Sequence, residues 1–148
     1  MALAIEGSDA ILSAFGPTTL RRTHLRRDFG RVLVEAMRAA GVSRVIHVTT
    51  AFLFGEGGPI FSIMSKTLFR NVTMDHGESE QEIAQPDLAW TILRPPRLLD
   101  AKPTGRPRIM AAHLPKGGFT ISRADVAAFM LEEATSPNYV QQVVGISN

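Results

Sequence analysis

The sequence has 148 residues, of which 45% are hydrophobic and 20% charged, with a formal net charge of +2 and no cysteine. This composition predicts one globular domain spanning residues 1–148, and it excludes disulfides, thiolate metal sites and cysteine nucleophiles. No apolar run approaches the ~18 residues of a membrane span, and the small net charge gives no argument for nucleic acid. We therefore expect a cytoplasmic protein with no membrane partner and no metal site.

The first half of the chain alternates strand and helix patterns. Residues 9–16 are almost continuously apolar, which predicts a strand buried on both faces. Apolar residues at three- and four-residue steps predict a helix over residues 25–40, ended by Gly41 in the left-handed conformation. The β-branched residues of segment 44–50 predict the next buried strand.

The second half continues the alternation. We predict a glycine-rich loop at 51–59, helices at 61–72 and 76–85, strands at 88–94 and 108–111, a turn at 116–118 and a final edge strand at 140–146. Ser122 is the predicted N-cap of one further helix, and Asp125 three residues later approximates a capping box. The alternation indicates a layered α/β fold.

Five segments of the sequence are familiar when they are taken together. They are SDAILSAFGP, EAMRAAGVSRVIHVTTAFLFGE, MDHGESE, LAWTILRPPRLLDAKPTGRPRI and ISRADVAAFML. In this order they resemble the atypical short-chain dehydrogenase/reductase group, with its NmrA-like NAD(P)-binding members, and most closely the biliverdin-IXβ reductase or flavin reductase family. The resemblance implies a Rossmann-like parallel sheet with flanking helices. It also implies NADPH, or alternatively NADH, as the donor of hydride to a flavin or a similar conjugated acceptor.

The sequence departs from that group at its beginning. Family members start with a strand, a G-x-x-G-x-x-G loop and a helix, followed by a strand ending in an arginine that favours NADPH, and the sequence contains none of these. We therefore expect a fold that lacks the first βαβ portion, or roughly 60 residues at ~30 per unit. In the usual strand order this leaves residues 9–16 as an apolar sheet edge, through which we expect self-association.

The predicted cofactor site follows from the strand ends. Ligands of an open parallel sheet bind beyond the carboxyl ends of its strands, where three segments should converge. The predicted cofactor-binding residues are Phe15, Gly16, Thr49, Thr50, Arg94, Pro95, Pro96 and Arg97. Gly16 lets the cofactor approach the backbone closely, or it only breaks the strand together with Pro17. For Arg94, a surface salt bridge explains the residue at least as well.

The predicted catalytic and substrate residues rest more on the resemblance. Thr50 matches a pocket serine of the family, and its hydroxyl suits the nicotinamide amide or the substrate, although a local bond to the backbone is the alternative. His76 matches a histidine beside the family's substrate pocket and is a candidate proton donor, although a histidine at a helix start is more often structural. Phe52, Phe54 and Arg97 complete the predicted substrate contacts, because aromatic rings stack on flat conjugated molecules and guanidinium groups bind phosphate or carboxylate.

A run of arginines precedes and enters the first long helix. Its members are Arg21, Arg22, Arg26, Arg27 and Arg31. We expect a solvated helix face rather than a nucleic-acid surface, because no interleaved aromatic residues accompany the charges.

Three functions remain open from the sequence. The first is an NADPH-dependent reductase of a flavin or similar acceptor. The second is a non-catalytic dinucleotide-sensing or interaction module of the NmrA type. The third is an inactive fragment of such a protein.

Overall fold

The computed structural model describes residues 1–16, 21–56 and 58–148. Its helices are α1 (Ala2–Ile5), α2 (Leu25–Ala40), α3 (Gly58–Lys66), α4 (Arg70–Ile83) and α5 (Arg123–Thr135), with a 3-10 turn at Ala51–Phe54. Its strands are β1 (Ala10–Ser13), β2 (Arg44–Val48), β3 (Ala89–Arg94), β4 (Arg97–Leu99), β5 (Arg108–Ala111), β6 (Thr120–Ser122) and β7 (Gln142–Ser147). Pro17 of the predicted strand break and Gly57 of the predicted loop lie outside the described residues.

The main sheet has the strand order β1-β2-β3-β7-β5. The first four strands in this order are parallel, and β5 pairs antiparallel with β7. The α/β fold with a Rossmann-like parallel sheet is thus confirmed, and β1 lies at one end of the strand order as expected. The prediction that the last strand is an edge was wrong, because β5 pairs with the outer side of β7 and places Ile109 opposite Ile146.

Several helix boundaries follow the local signals. The helix predicted over residues 25–40 is α2, and Gly41 ends it with φ 70°. The predicted cap of α5 is also confirmed, since the Ser122 hydroxyl accepts a hydrogen bond of 2.9 Å from the Asp125 amide.

Other boundaries differ from the predictions. Residues 70–83 form one continuous α4, because no glycine or proline interrupts residues 72–76, where we expected a break. Residues 51–54 of the predicted loop form a 3-10 turn, because the Thr50 hydroxyl caps it and Gly55 ends it with φ 68°.

The helices cover both faces of the sheet. One apolar core joins alternate strand residues such as Ile46 and Leu93 to Phe129 of α5. A second core joins the intervening strand residue Val45 to Met37 of α2 and to Ile83 of α4. Because successive strand residues point to opposite faces, α2 and α4 lie on one side of the sheet and α5 on the other. Among the described helices, none is long and apolar enough to cross a membrane.

Candidate functional site

The carboxyl ends of β1, β2 and β3 lie side by side, as predicted from the parallel pattern. Two backbone bonds continue the pairing beyond the strands: the Thr49 amide donates to the Leu93 carbonyl at 2.8 Å, and the Ala51 amide donates to the Pro95 carbonyl at 2.9 Å. The chain that leaves β2 is therefore fixed against the chain that leaves β3. This junction forms one wall of a cavity.

The cavity has a volume of about 360 Å³. Its lining residues are Thr50, Ala51, Phe52, Met64, Phe69, Pro96, Arg97 and Phe119. Four of the predicted site residues therefore share one cavity. Aromatic and aliphatic groups form most of the lining, and one hydroxyl and one guanidinium add polarity, which suits a flat ring that carries an amide or an anionic substituent.

The polar groups of this cavity retain hydrogen-bonding capacity. The Thr50 hydroxyl oxygen accepts a long bond of 3.4 Å from the Phe52 amide, so its proton stays available to a ligand. Arg97, exposed at the start of β4, forms no ion pair with any described residue. The Phe52 ring stacks on the Phe69 ring with centroids 4.9 Å apart. The cavity thus combines two polar groups with a stacked aromatic wall.

Thr49 and Arg94 lie on the other face of the sheet and do not line this cavity. The Thr49 hydroxyl donates to Glu80 Oε1 at 2.6 Å, and Arg94 donates to both oxygens of the same carboxylate. The Arg94 guanidinium also lies 4.8 Å from the centre of the Phe54 ring. The salt-bridge interpretation of Arg94 therefore describes its side chain, although the pair is largely buried and not at the surface.

A buried polar cluster lies between β1, β2, α2 and α4, and its members are Ser13, Arg26, His47, Asp75, His76 and Ser79. The imidazole of His47 is hydrogen bonded to Ser13 Oγ through Nδ1 and to Ser79 Oγ through Nε2, both at 3.0 Å. Burial, and secondarily the charge of Arg26, lowers the pKa of His47 to about 4. His47 is therefore neutral at neutral pH.

His76 belongs to this polar cluster and not to the cavity of Thr50. It is 7% exposed, and its Nδ1 has no hydrogen-bond partner among the described residues. Burial, followed by the charges of Arg26 and His47, lowers the pKa of His76 to about 3. The imidazole present at neutral pH is therefore the neutral form, which lacks the acidic proton of an imidazolium. The proton-donor role of His76 stays a prediction.

Gly16 and Phe15 pack against α2. A Cβ atom at Gly16 would lie 2.6 Å from Arg26 Nη2, so the missing side chain makes room for the guanidinium. The Phe15 ring stacks on Phe29 with centroids 4.2 Å apart. Arg26 thus fills the space beside Gly16, and the cofactor approach predicted for this glycine stays a prediction.

The arginine run is not uniformly a solvated face. Arg26 is buried and forms an ion pair of 3.2 Å with Asp75. Arg27 and Arg31 are about half exposed and form ion pairs with Glu82 and Glu35. The prediction of a solvated face was therefore wrong at Arg26, because Asp75 of α4 comes to lie opposite it.

Sequence reasoning missed Arg26, His47, Asp75 and Glu80 as members of the strand-end region. A usable signal existed in α4, where polar residues occupy positions 75, 76, 79 and 80 of the face that ends in the buried Ile83. Polar side chains on the buried face of a helix require polar partners in the sheet below.

A model of the NAD(P)H-binding family matches residues 1–137. The chain belongs to this family. Similar folds occur in a protein of Burkholderia pseudomallei (25% identity, TM-score 0.81) and in ChuY, an anaerobilin reductase of Escherichia coli O157:H7 (28% identity, TM-score 0.76). A short-chain dehydrogenase/reductase of Veillonella parvula in complex with NADP shares the fold at 16% identity, with a TM-score of 0.76. Each match covers 99% of this chain and, respectively, 75%, 68% and 66% of the other.

The residues present fit the nicotinamide end of the family's cofactor. The Thr50 hydroxyl proton is a donor for a carboxamide oxygen, and the apolar walls of the cavity accept a planar ring. The family binds a nicotinamide dinucleotide, and its position at the carboxyl edge of the sheet stays a prediction.

Proposed function

We propose that this chain is an NADPH-dependent oxidoreductase that reduces a flavin or a similar conjugated acceptor. The observation that carries the proposal is the cavity at the strand ends, in which the Thr50 hydroxyl and the Arg97 guanidinium accompany stacked aromatic rings. The cofactor, when bound, supplies the hydride. The chain's own residues bind and orient the reactants, so no side-chain nucleophile is required.

Each lining residue has a distinct role in this proposal. Thr50 donates its proton to the carboxamide and fixes which face of the ring meets the acceptor. Phe52 provides an aromatic surface for a flat acceptor, while Arg97 binds a phosphate or carboxylate. Phe54 supports Arg94 and lies outside this cavity. His76 is buried and neutral and does not line the cavity, so its role as a proton donor stays a prediction outside this proposal.

A non-catalytic dinucleotide-sensing module is the second candidate. The feature that favours it is the lining of the cavity, in which no described residue is a carboxylic acid or a histidine able to supply a proton for catalysis. Self-association through β1 would accompany this role. That strand pairs only with β2 in the described sheet, and its Leu12 is 41% exposed.

Turnover and binding together separate the two candidates. The protein is mixed with NADPH and FMN, and the absorbance of the reduced nicotinamide is followed. Oxidation that depends on both protein and FMN is expected for the reductase, whereas saturable NADPH binding with no turnover identifies the sensor. Absence of both would contradict the two proposals.

A matched pair of variants tests the role of Thr50. Thr50→Val removes the hydroxyl but keeps the branched shape, and we expect kcat/KM to fall about tenfold, the equivalent of one hydrogen bond of ~1.4 kcal/mol. Thr135→Val is the control, because its hydroxyl bonds only to backbone carbonyls on the exposed side of α5. Equal rates for the two variants would remove Thr50 from the site.

A further inference from the structure

We propose that a second pocket beside the cavity binds an anionic substituent of the acceptor through Lys66 and Arg70, an inference that rests on the proposed function. This pocket, called here the cationic pocket, has a volume of about 420 Å³ and includes Phe52, Phe54, Lys66 and Arg70 in its lining. It lies at the junction between the last residue of α3 and the first residue of α4. The acceptor it selects is therefore a conjugated ring that bears a phosphate or a carboxylate.

The cationic pocket and the cavity of Thr50 are neighbours that share an aromatic wall. Phe52 lines both of them. Phe69, on which Phe52 stacks, lines the cavity and is the residue directly before Arg70. A ring held in the cavity can therefore extend a substituent past Phe52 toward the two cations.

The charges of the cationic pocket are uncompensated within the described part of the chain. Neither Lys66 nor Arg70 forms an ion pair with a described carboxylate, whereas seven other arginines do so. No acidic residue lines the pocket. The acidic residue nearest in the sequence, Asp75, is bonded instead to Arg26 and Thr23.

The position of Arg70 adds to the positive potential. It occupies the first turn of α4, which holds no acidic residue, and the N-cap Phe69 offers no side-chain bond to the helix amides. A cation at a helix N-terminus is disfavoured by the macrodipole, so an anion close to Arg70 relieves an existing repulsion. Aromatic rings beside two unpaired cations fit an anionic conjugated molecule better than a neutral one.

Two pairs of acceptors separate the anionic group from the ring. FMN and riboflavin share the isoalloxazine and differ by the phosphate, while biliverdin and its dimethyl ester differ by the charge on two carboxylates. Binding of each compound is measured without NADPH, by the quenching of the protein's tryptophan fluorescence. The KM for each compound is then measured with NADPH present. The wild-type chain is compared with Lys66→Gln/Arg70→Gln and with the control Lys102→Gln/Arg106→Gln, which removes the same two charges from an exposed segment that lines neither pocket.

In at least one pair, we expect the charged member to bind at least about tenfold more tightly than the neutral member. The Lys66→Gln/Arg70→Gln variant should abolish that preference, and the control should retain it. Equal binding of charged and neutral members by the wild-type chain, loss of preference in both variants, or no binding of any of the four compounds would overturn the inference. An intact binding preference without any NADPH-dependent reduction would instead overturn the proposed function and leave the cationic pocket standing. Unchanged melting curves confirm that both variants fold.

Discussion

Two buried ion pairs lie at opposite ends of the same parallel sheet, and they differ in how completely they are bonded. At the amino end, Glu133 of α5 accepts bonds from Arg44 at 2.8 Å and from the amides of Asn138 and Tyr139 at 3.0 and 2.8 Å. Arg44 donates further to the carbonyls of Ala89 and Glu133. This pair ties β2, β3 and the end of α5 together and exposes almost nothing to solvent.

The pair at the carboxyl end is much less complete. Asp75 accepts bonds from Arg26 and Thr23 through Oδ2 alone. Its Oδ1, together with Arg26 Nε and His76 Nδ1, has no partner among the described residues, whereas Arg44 Nε is the one unpartnered atom of the described amino-end pair. An unsatisfied buried polar group costs about 1–3 kcal/mol, and a bound water, ion or ligand removes that cost by supplying the missing partner. The comparison supports the proposal that the carboxyl end is the binding edge, while the amino-end pair stabilises the sheet.

Lowering the pH should destabilise the buried polar cluster at the carboxyl end, and we expect the largest decrease in the free energy of unfolding from this change. The pKa values of His47 and His76 are lowered from 6.5 to about 4 and about 3. Both imidazoles bind a proton more readily in the unfolded chain than in the folded chain. The free energy of unfolding is therefore highest above pH 6.5, and it falls as the pH drops from 6.5 toward the two lowered pKa values. Roughly 3 kcal/mol should be lost for each imidazole by pH 4. Urea unfolding at a series of pH values measures this loss, and a free energy of unfolding that is constant between pH 7 and pH 4 would contradict the assignment.

Breaking the amino-end pair should cost nearly as much. Glu133→Gln leaves the buried Arg44 without its carboxylate, and we expect the free energy of unfolding at neutral pH to fall by about 3–5 kcal/mol. The neighbouring exposed Glu132→Gln is the control and should change it by less than about 0.5 kcal/mol. NADPH binding by the folded fraction should survive Glu133→Gln. Equal stability of the two variants would show that the amino-end pair does not hold the sheet together.

The Glu80 carboxylate also lies at the carboxyl end, and its loss should lower the stability by a smaller amount. Glu80→Gln weakens the bonds to Thr49 and Arg94, and we expect the free energy of unfolding to fall by about 1–3 kcal/mol. We also expect weaker NADPH binding, because Arg94 ends the strand beside the cavity. Glu82→Gln is the control, because Glu82 is more exposed than Glu80 and its ion pair with Arg27 is long, at 3.8 Å. A Glu80 variant that loses stability but keeps full NADPH affinity would assign this carboxylate to the scaffold alone.

The sequence predicted the parts of the fold that local signals determine. The limits of α2 with Gly41, the cap of α5 and the short strand at 108–111 follow from periodicity, glycine and N-cap chemistry. The three-residue strands β4 and β6 were not predicted, because strands this short carry no measurable alternation. The interior place of β7 depends on pairing with β5, which lies about 30 residues earlier in the chain and leaves no trace in the local pattern.

The candidate site was predictable to a similar depth. The strand ends identified an edge of the sheet that holds a cavity, and Thr50 and Arg97 line that cavity. The burial of Arg26 was not predictable, because its partner Asp75 lies 49 residues away in the sequence. The split between Thr49 and Thr50 was foreseeable, since neighbouring residues that leave a strand point to opposite faces.

Equilibrium binding of NADPH tests most directly whether the carboxyl edge is the ligand site. Nicotinamide fluorescence is titrated at neutral pH with the wild-type chain, Thr50→Val, Thr135→Val and Glu133→Gln, the last at a temperature where it is folded. We expect saturable binding by the wild type, about tenfold weaker binding by Thr50→Val, and unchanged affinity for the other two. Affinity that is lost in Glu133→Gln but kept in Thr50→Val would place the ligand at the amino end and contradict the account.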